Sequence, residues 1–172
     1  GSLNLANIDS LPEFAAICEL GIKFLLFGTL RSELPFAKVY ETRAKNRRLG
    51  LGLMGVHEWL LKRNSRYEVT PELHSWLEVY KGVSNDVSRK SADGLGISRP
   101  VANRAIAPTG TIGMLAGTTT GIEPVYAVAY RRRYLVNGQS WKYQFAVDQC
   151  AEGLIRQFGV DPERIESAID LA

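Results

Sequence analysis

The chain has 172 residues, of which 45% are hydrophobic and 23% are charged, as is typical of a soluble globular domain. It contains no run near the roughly 18 apolar residues that a membrane helix needs, and its first residues do not resemble a secretion signal. We therefore expect no membrane partner and a cytoplasmic location, which the two cysteines also suit. The net charge of +3 suits a small anionic ligand but is too weak to indicate direct nucleic-acid binding.

Helix caps, apolar spacing and turn residues predict helices that alternate with strands, which indicates an α/β fold. In chain order the predicted elements are a helix over residues 10–27, a buried strand or tight strand-to-helix junction over 47–54, a short helix over 56–62, a helix over 70–94, a buried strand over 104–107, a helix from 111, a strand over 126–136, a hairpin turn at 137–138, a return strand over 141–145, and helices over 147–158 and 162–171. Because no stop signal follows the last helix and the first residues look extended, we expect the chain to be truncated at both ends.

Three of these predictions depend on strong local signals. Ser10, followed three residues later by Glu13, is typical of a capping box at a helix start. Thr70 directly before a proline predicts a helix N-cap with proline at the first helical position. The pair Asn137-Gly138 is typical of a tight turn between two antiparallel strands.

The most informative pattern is a turn between the predicted strand at 104–107 and the helix that follows it. Pro108 and Gly110 break the apolar run, and Thr109 and Thr111 flank the glycine, with Ile112 next in the helix. A helix N-terminus presents free N–H groups and a partial positive charge, and glycine lets a ligand approach the backbone. These five residues therefore form a candidate phosphate-binding loop. The alternative is an ordinary turn in which Thr109 or Thr111 only caps the helix.

A second glycine pattern has the spacing of a dinucleotide-binding loop. Gly50, Gly52 and Gly55 fit Gly-x-Gly-x-x-Gly and precede a predicted helix. However, no acidic residue ends a second strand about twenty residues later, where a dinucleotide site needs one for the ribose. The pattern is therefore only a weak indication of such a site.

Four stretches, in the same order, resemble the large catalytic subunit of ribonucleotide reductases, and most of all its adenosylcobalamin-dependent (class II) branch. They are Gly-Ser-Leu-Asn-Leu-Ala at residues 1–6, Asn-Arg-Arg-Leu-Gly-Leu-Gly-Leu-Met-Gly at 46–55, the segment 106–124 with Ala-Pro-Thr-Gly-Thr and Gly-Ile-Glu-Pro, and residues 129–135 with 141–144. Each match alone is weak, but their common order spans nearly the whole chain.

The resemblance implies that residues 1–172 are a partial slice of a ten-stranded α/β barrel, from the C-terminal half of a longer enzyme. That enzyme would make deoxyribonucleotides for DNA synthesis by thiyl-radical chemistry, with adenosylcobalamin as its cofactor. Its partners would be the ribonucleotide substrate and the remainder of the reductase chain, and a homodimer is an assembly that the family allows. The loop from Pro108 to Ile112 would hold the substrate's 5′-phosphates.

By the same resemblance, the radical cysteine and the redox cysteines lie outside this chain. We therefore assign no catalytic residue here and expect the chain alone to be inactive. Ser2, Asn4 and Glu123 are assigned as supporting residues of the site. For Glu123 we expect a structural role, either a bond to loop backbone or a pair with an arginine, rather than acid–base chemistry.

The remaining cysteines and histidines are not expected to take part in catalysis or metal binding. Cys18 lies on a predicted helix, four residues after Phe14 and four before Ile22, which favours a small buried side chain, and Cys150 lies in a late predicted helix. His57 and His74 lack the spacing of metal ligands, and an ordinary surface or core histidine is the better interpretation of each. We predict no metal site.

Two other interpretations stay open at this point. The chain could be a non-enzymatic nucleotide- or phosphate-binding module that has the loop alone. It could also belong to the class I branch, in which a separate di-iron subunit generates the radical.

Overall fold

A computed structural model describes residues 1–157, 159 and 164, and about half of these residues lie in helices. The elements are β1 (Ser2–Asn4), a 3₁₀ turn (Leu5–Asn7), α1 (Leu11–Arg31), α2 (Ala37–Asn46), β2 (Gly52–Met54), α3 (Val56–Leu61), α4 (Pro71–Gly94), α5 (Gly110–Ala116), β3 (Ala129–Val136), β4 (Ser140–Val147) and α6 (Gln149–Gln157). The helix predicted over residues 162–171 falls almost entirely outside the described residues. Within the described part of the chain, no helix is long and apolar enough to cross a membrane.

The strands form two separate sheets of two strands each within the described residues, so these residues do not by themselves form the ten-stranded barrel. β1 and β2 are parallel, with Ser2 opposite Gly52 and Asn4 opposite Met54. Parallel strands need a long crossover connection, and α1 and α2 supply it here. The α/β class is therefore supported by this parallel unit.

The prediction of a buried strand over residues 104–107 is wrong. The segment forms a single bridge, Leu51 to Arg104, and Ala105 donates its N–H to the Leu51 carbonyl at 3.0 Å. Beyond that point residues 105–107 are exposed. β1 pairs with one edge of β2, and the pairing of this segment with the neighbouring Leu51 ends at Ala105, shortly before Pro108, which has no N–H to donate.

The core lies between α1, α4 and the β1–β2 unit. α1 begins as predicted, because the Ser10 hydroxyl accepts the Glu13 N–H at 3.4 Å. It buries one residue per turn, namely Phe14, Cys18, Ile22 and Leu26. The ring of Trp76, on α4, stacks on Phe14 with 5.0 Å between ring centroids. It also contacts Trp59, on α3, edge-on at 5.0 Å. This aromatic cluster fixes α3 against both long helices.

The hairpin of β3 and β4 confirms the predicted turn. Asn137 and Gly138 both have positive φ, at 51° and 70°, as a tight hairpin turn requires. β3 begins at Ala129, later than predicted, and β4 extends over Ser140–Val147. The three arginines at 131–133 are exposed and alternate between the two faces of the hairpin.

The glycines of the dinucleotide-like pattern serve backbone packing. A Cβ at Gly52 would lie 2.6 Å from the Ala105 carbonyl oxygen, closer than any side chain can sit. Gly55 has a φ of 73° and starts α3 in the left-handed region. Both glycines are thus explained by close approach of this chain's own backbone and side chains.

Candidate functional site

The N-terminus of α5 faces open space, as the candidate phosphate-binding loop requires. The helix begins at Gly110, one residue earlier than predicted, and its first internal bond is Gly113 N–H to the Thr109 carbonyl at 2.6 Å. The N–H groups of the first helical residues have no partner within an α-helix. Gly110, Thr111 and Ile112 are exposed, and a Cβ at Gly110 would meet nothing within 4 Å. An anion can therefore reach these N–H groups.

Thr109 has a different role from its neighbours in the loop. Its side chain is only 6% exposed, makes no cap bond to α5, and accepts the Gly121 N–H at 2.7 Å. Its φ of 49° is uncommon for a β-branched residue, and the buried hydrogen bond helps to hold it there. Thr111 lies within the helix rather than at its cap position. Thr109 thus occupies the N-cap position of α5 without a side-chain cap bond, and phosphate binding by the loop stays a prediction.

Residues 117–125, which we call the strap, run beneath the loop. The Thr118 N–H donates to the Gly113 carbonyl at 3.0 Å and so ends α5. Gly121 has a φ of 51°, and a Cβ there would lie 3.1 Å from the Ala107 carbonyl oxygen. Together with the bond from Gly121 to Thr109, these contacts fix the strap against the loop.

The other side of the strap is bound to α3. The Gly55 N–H donates to the Thr119 carbonyl at 2.8 Å, and the Glu58 N–H reaches the Thr119 hydroxyl at 3.4 Å. The Thr118 hydroxyl donates to Glu58 Oε2 at 2.7 Å. Glu58 Oε1 pairs with Lys62 Nζ at 3.0 Å, so both carboxylate oxygens of this nearly buried group have partners. The strap thus connects α3 to the candidate phosphate-binding loop.

His57 adds a further bond at the end of the strap. Its Nδ1 accepts the Val125 N–H at 2.7 Å, which requires a neutral ring with Nδ1 unprotonated. The ring meets Tyr67 edge-on at 5.2 Å, and the Tyr67 hydroxyl donates to the Ile122 carbonyl. Burial lowers the pKa of His57, and the nearby Asp148 carboxylate acts in the opposite direction. The neutral ring therefore predominates near neutral pH.

Comparison with known proteins identifies the family. A model of the ribonucleotide reductase barrel domain matches residues 1–81 and 96–171. The chain belongs to this ribonucleotide reductase family. A vitamin B12-dependent ribonucleoside-diphosphate reductase of Mycobacterium tuberculosis is 29% identical over 184 residues, which cover 92% of this chain and 25% of that protein. A relative with the same description from Thermoplasma acidophilum is 28% identical over 153 residues, covering 78% of this chain and 19% of that protein.

The fold is also similar to that of a solved reductase. The crystal structure of a B12-dependent (class II) ribonucleotide reductase superposes with a TM-score of 0.60 at 22% identity, over 74% of this chain and 20% of that one. This chain spans about a quarter of the length of the M. tuberculosis relative and less of the T. acidophilum one. The sequence-based resemblance to the family, and to its class II branch in particular, is confirmed.

Asn4 lies close to the strap, and Ser2 lies beside Gly52 in the β1–β2 unit. The Asn4 Oδ1 accepts the Ala6 N–H at 3.2 Å. A Cβ at Gly55 would collide with Asn4 Oδ1 and lie 2.6 Å from Thr118 Oγ1, so both oxygens border the same glycine. Ser2 lies at the start of β1, opposite Gly52.

Glu123 lies beside the loop, on the exposed side of the strap. It lines a cleft of about 140 Å³ together with Pro108, and a larger one of about 360 Å³ together with Gly110. Its backbone N–H donates to the Thr120 carbonyl at 3.1 Å. Among the residues that the structure describes, its carboxylate forms no ion pair, so the predicted arginine partner is absent from this set.

The cysteine and histidine assignments can be compared with the structure in part. Cys18 is fully buried, as predicted, and burial raises the pKa of its thiol to about 12, so it is unreactive at neutral pH. Cys150 lies on α6, but its side chain is outside the described part. His74 is exposed on α4. The role of His57 was missed, because its partner lies 68 residues later and no local pattern signals it.

Proposed function

We propose that this chain is part of the catalytic subunit of a ribonucleotide reductase, within the barrel domain, and that it helps to make deoxyribonucleotides for DNA synthesis. The overall reaction replaces the ribose 2′-hydroxyl with hydrogen and releases water while a pair of thiols is oxidised to a disulfide. In this family the reaction proceeds through a thiyl radical. The match of the barrel-domain model to residues 1–81 and 96–171 carries this proposal.

Adenosylcobalamin is the cofactor that the names of the relatives favour, since both are described as vitamin B12-dependent. The described residues do not by themselves suit this cofactor. Two of their clefts measure about 430 and 360 Å³, the size of a small-molecule site, whereas adenosylcobalamin is much larger. We therefore assign cobalamin binding to the complete enzyme and derive no step through it here. The names also favour class II over a class I subunit or a non-enzymatic module.

We assign the substrate's 5′-phosphates to the loop of Pro108, Thr109, Gly110, Thr111 and Ile112. The exposed N–H groups at the start of α5 can donate to phosphate oxygens, and the Thr111 hydroxyl can add a further bond. The Thr109 side chain is already bound to the strap, so its contribution is to shape the loop. Holding the phosphates would place the ribose in a fixed position for the radical step.

The remaining parts of the proposal concern partners and location. The ribonucleotide is the substrate, the rest of the reductase chain completes the barrel, and a homodimer is an assembly that the family allows for the complete enzyme. We place the enzyme in the cytoplasm.

The test replaces two loop residues in the full-length reductase and measures nucleotide and cobalamin affinities separately. Thr111→Val keeps the side-chain shape but removes a hydroxyl donor, and we expect nucleotide affinity to fall about ten- to a hundredfold. Gly110→Leu should reduce it at least as much, because a side chain there would occupy the space beside the N–H groups. Cobalamin affinity should not change in either variant.

Matched controls come from exposed positions elsewhere in the chain. Thr42→Val removes a threonine hydroxyl from α2, and Gly82→Leu adds a side chain on α4 where a Cβ meets nothing within 4 Å. Both controls should retain nucleotide affinity. If Thr111→Val and Gly110→Leu bind nucleotide as tightly as the controls, the loop does not hold the phosphates.

A further inference from the structure

We propose that His57 is a positioning residue for the phosphate loop: its neutral Nδ1 holds the strap at Val125, so that nucleotide affinity falls when the ring is protonated. This inference rests on the proposed phosphate site. The hydrogen bond of His57 is to the strap, and we infer that it acts on the loop through the strap.

The path from His57 to the loop is continuous. The Val125 N–H is held by His57 Nδ1 at 2.7 Å, at the end of the strap. Four residues earlier, the Gly121 N–H is held by the Thr109 hydroxyl at 2.7 Å, within the loop itself. Between them the Ile122 carbonyl accepts the Tyr67 hydroxyl. A displacement of Val125 is therefore transmitted over a short, turn-rich segment to the residue that precedes α5.

The groups around the ring determine which of its forms is stable. Tyr67 packs edge-on against it from the loop after α3, at 5.2 Å between ring centroids. Asp148, which follows β4, favours the charged ring, and burial disfavours it more strongly, so that the pKa of His57 is lowered. Glu58 adjoins His57 in α3, but its two oxygens are bound to Lys62 and Thr118. Glu123, in the strap, is the carboxylate nearest to Val125 in sequence.

Protonation of the His57 ring would replace its hydrogen bond with Val125 by a repulsive contact between two donors. With a proton on Nδ1, two N–H donors, those of His57 and Val125, would face each other at hydrogen-bond distance. One of them must move, and Val125 lies on a segment without regular secondary structure. The lowered pKa of His57 means that the folded protein favours the neutral ring. The bond from Val125 to Nδ1 is therefore fully formed above the ordinary histidine pKa. It is lost as the pH falls through the lower, folded value.

The experiment measures KM for the ribonucleotide and kcat as functions of pH in the full-length reductase. His57→Asn supplies an amide oxygen where Nδ1 lies and cannot titrate, whereas His57→Phe keeps a ring against Tyr67 but has no acceptor. We expect the wild-type KM to rise about tenfold on acidification with kcat nearly unchanged. His57→Asn should keep a low KM without the acid step, and His57→Phe should show the raised KM at every pH. The control His74→Asn, on the exposed side of α4, should behave as wild type.

Several outcomes would overturn the inference. The acid rise in KM could persist in His57→Asn, or both His57 variants could match wild type at all pH values. If His57→Phe does not fold, His57→Asn alone still decides, through the presence or absence of the acid step. The loop variant separates this inference from the function proposed above. If Thr111→Val weakens nucleotide binding but the His57 variants do not, only the positioning role fails.

Discussion

Replacing Gly55 with alanine should destabilise the fold strongly, because Gly55 lies where β2, α3 and the strap converge. Its φ of 73° is in the left-handed region, where a residue with a Cβ pays roughly 1–2 kcal/mol. The added methyl would also collide with Asn4 Oδ1 and lie 2.6 Å from Thr118 Oγ1 and 3.1 Å from the Ala6 Cβ. Overpacking of this kind costs about 1–3 kcal/mol. The two costs together predict a loss of about 2–5 kcal/mol, a large part of the stability of an ordinary domain.

The assay is urea unfolding followed by tryptophan fluorescence, because Trp59 and Trp76 are buried in the core and become exposed on unfolding. At a slope of about 2 kcal/mol per molar, the unfolding midpoint of Gly55→Ala should fall by roughly 1–2.5 M. Gly82→Ala is the control, because a Cβ there meets nothing within 4 Å and alanine favours a helix by up to about 1 kcal/mol. Equal midpoints for Gly55→Ala and wild type would refute the packing argument at this glycine.

Three further predictions concern buried groups and activity. Thr118→Val leaves one oxygen of Glu58 without its donor and should lower the unfolding free energy by about 1–3 kcal/mol. The same substitution should have a smaller effect in a Glu58→Gln background, and losses that simply add would contradict the pairing. Burial raises the pKa of both Cys18 and Tyr80 to about 12, so the unfolded chain ionises first and the unfolding free energy should fall above about pH 9. Tyr80→Phe should reduce the dependence of the unfolding free energy on pH in this range, and an unchanged dependence would contradict the role of Tyr80. The 172-residue chain alone should show no reductase turnover with adenosylcobalamin, a dithiol and each ribonucleotide, and turnover above background would overturn the assignment of the missing thiols.

The features that could be predicted from the sequence are those set by local chemistry. Ser10 accepts the Glu13 N–H, Thr70 accepts the Leu73 N–H at 3.1 Å, and Asn137-Gly138 makes the turn, because each signal acts within a few residues. The helical spacing of apolar residues likewise predicted that Cys18 is buried.

The features that escaped prediction depend on contacts between distant segments. An apolar run at 104–107 looks like a buried strand, but whether it pairs depends on the distant segment beside it, and here the pairing is a single bridge from Arg104 to Leu51. The Thr109 hydroxyl can act as donor or acceptor, and it accepts the Gly121 N–H because the fold places Gly121 beside it. The bond from Val125 to His57 has no sequence signature, because no periodicity relates the two residues.

The most direct test of the phosphate site is amide hydrogen exchange in the full-length reductase, with and without a bound ribonucleotide. The N–H groups of Gly110, Thr111 and Ile112 are at the exposed start of α5, so they should exchange rapidly in the free enzyme. If they donate to the phosphates, saturating nucleotide should slow their exchange at least tenfold, and Thr111→Val should reduce that protection at the same nucleotide concentration. Unchanged exchange at these three amides, with protection appearing elsewhere in the enzyme, would contradict the account.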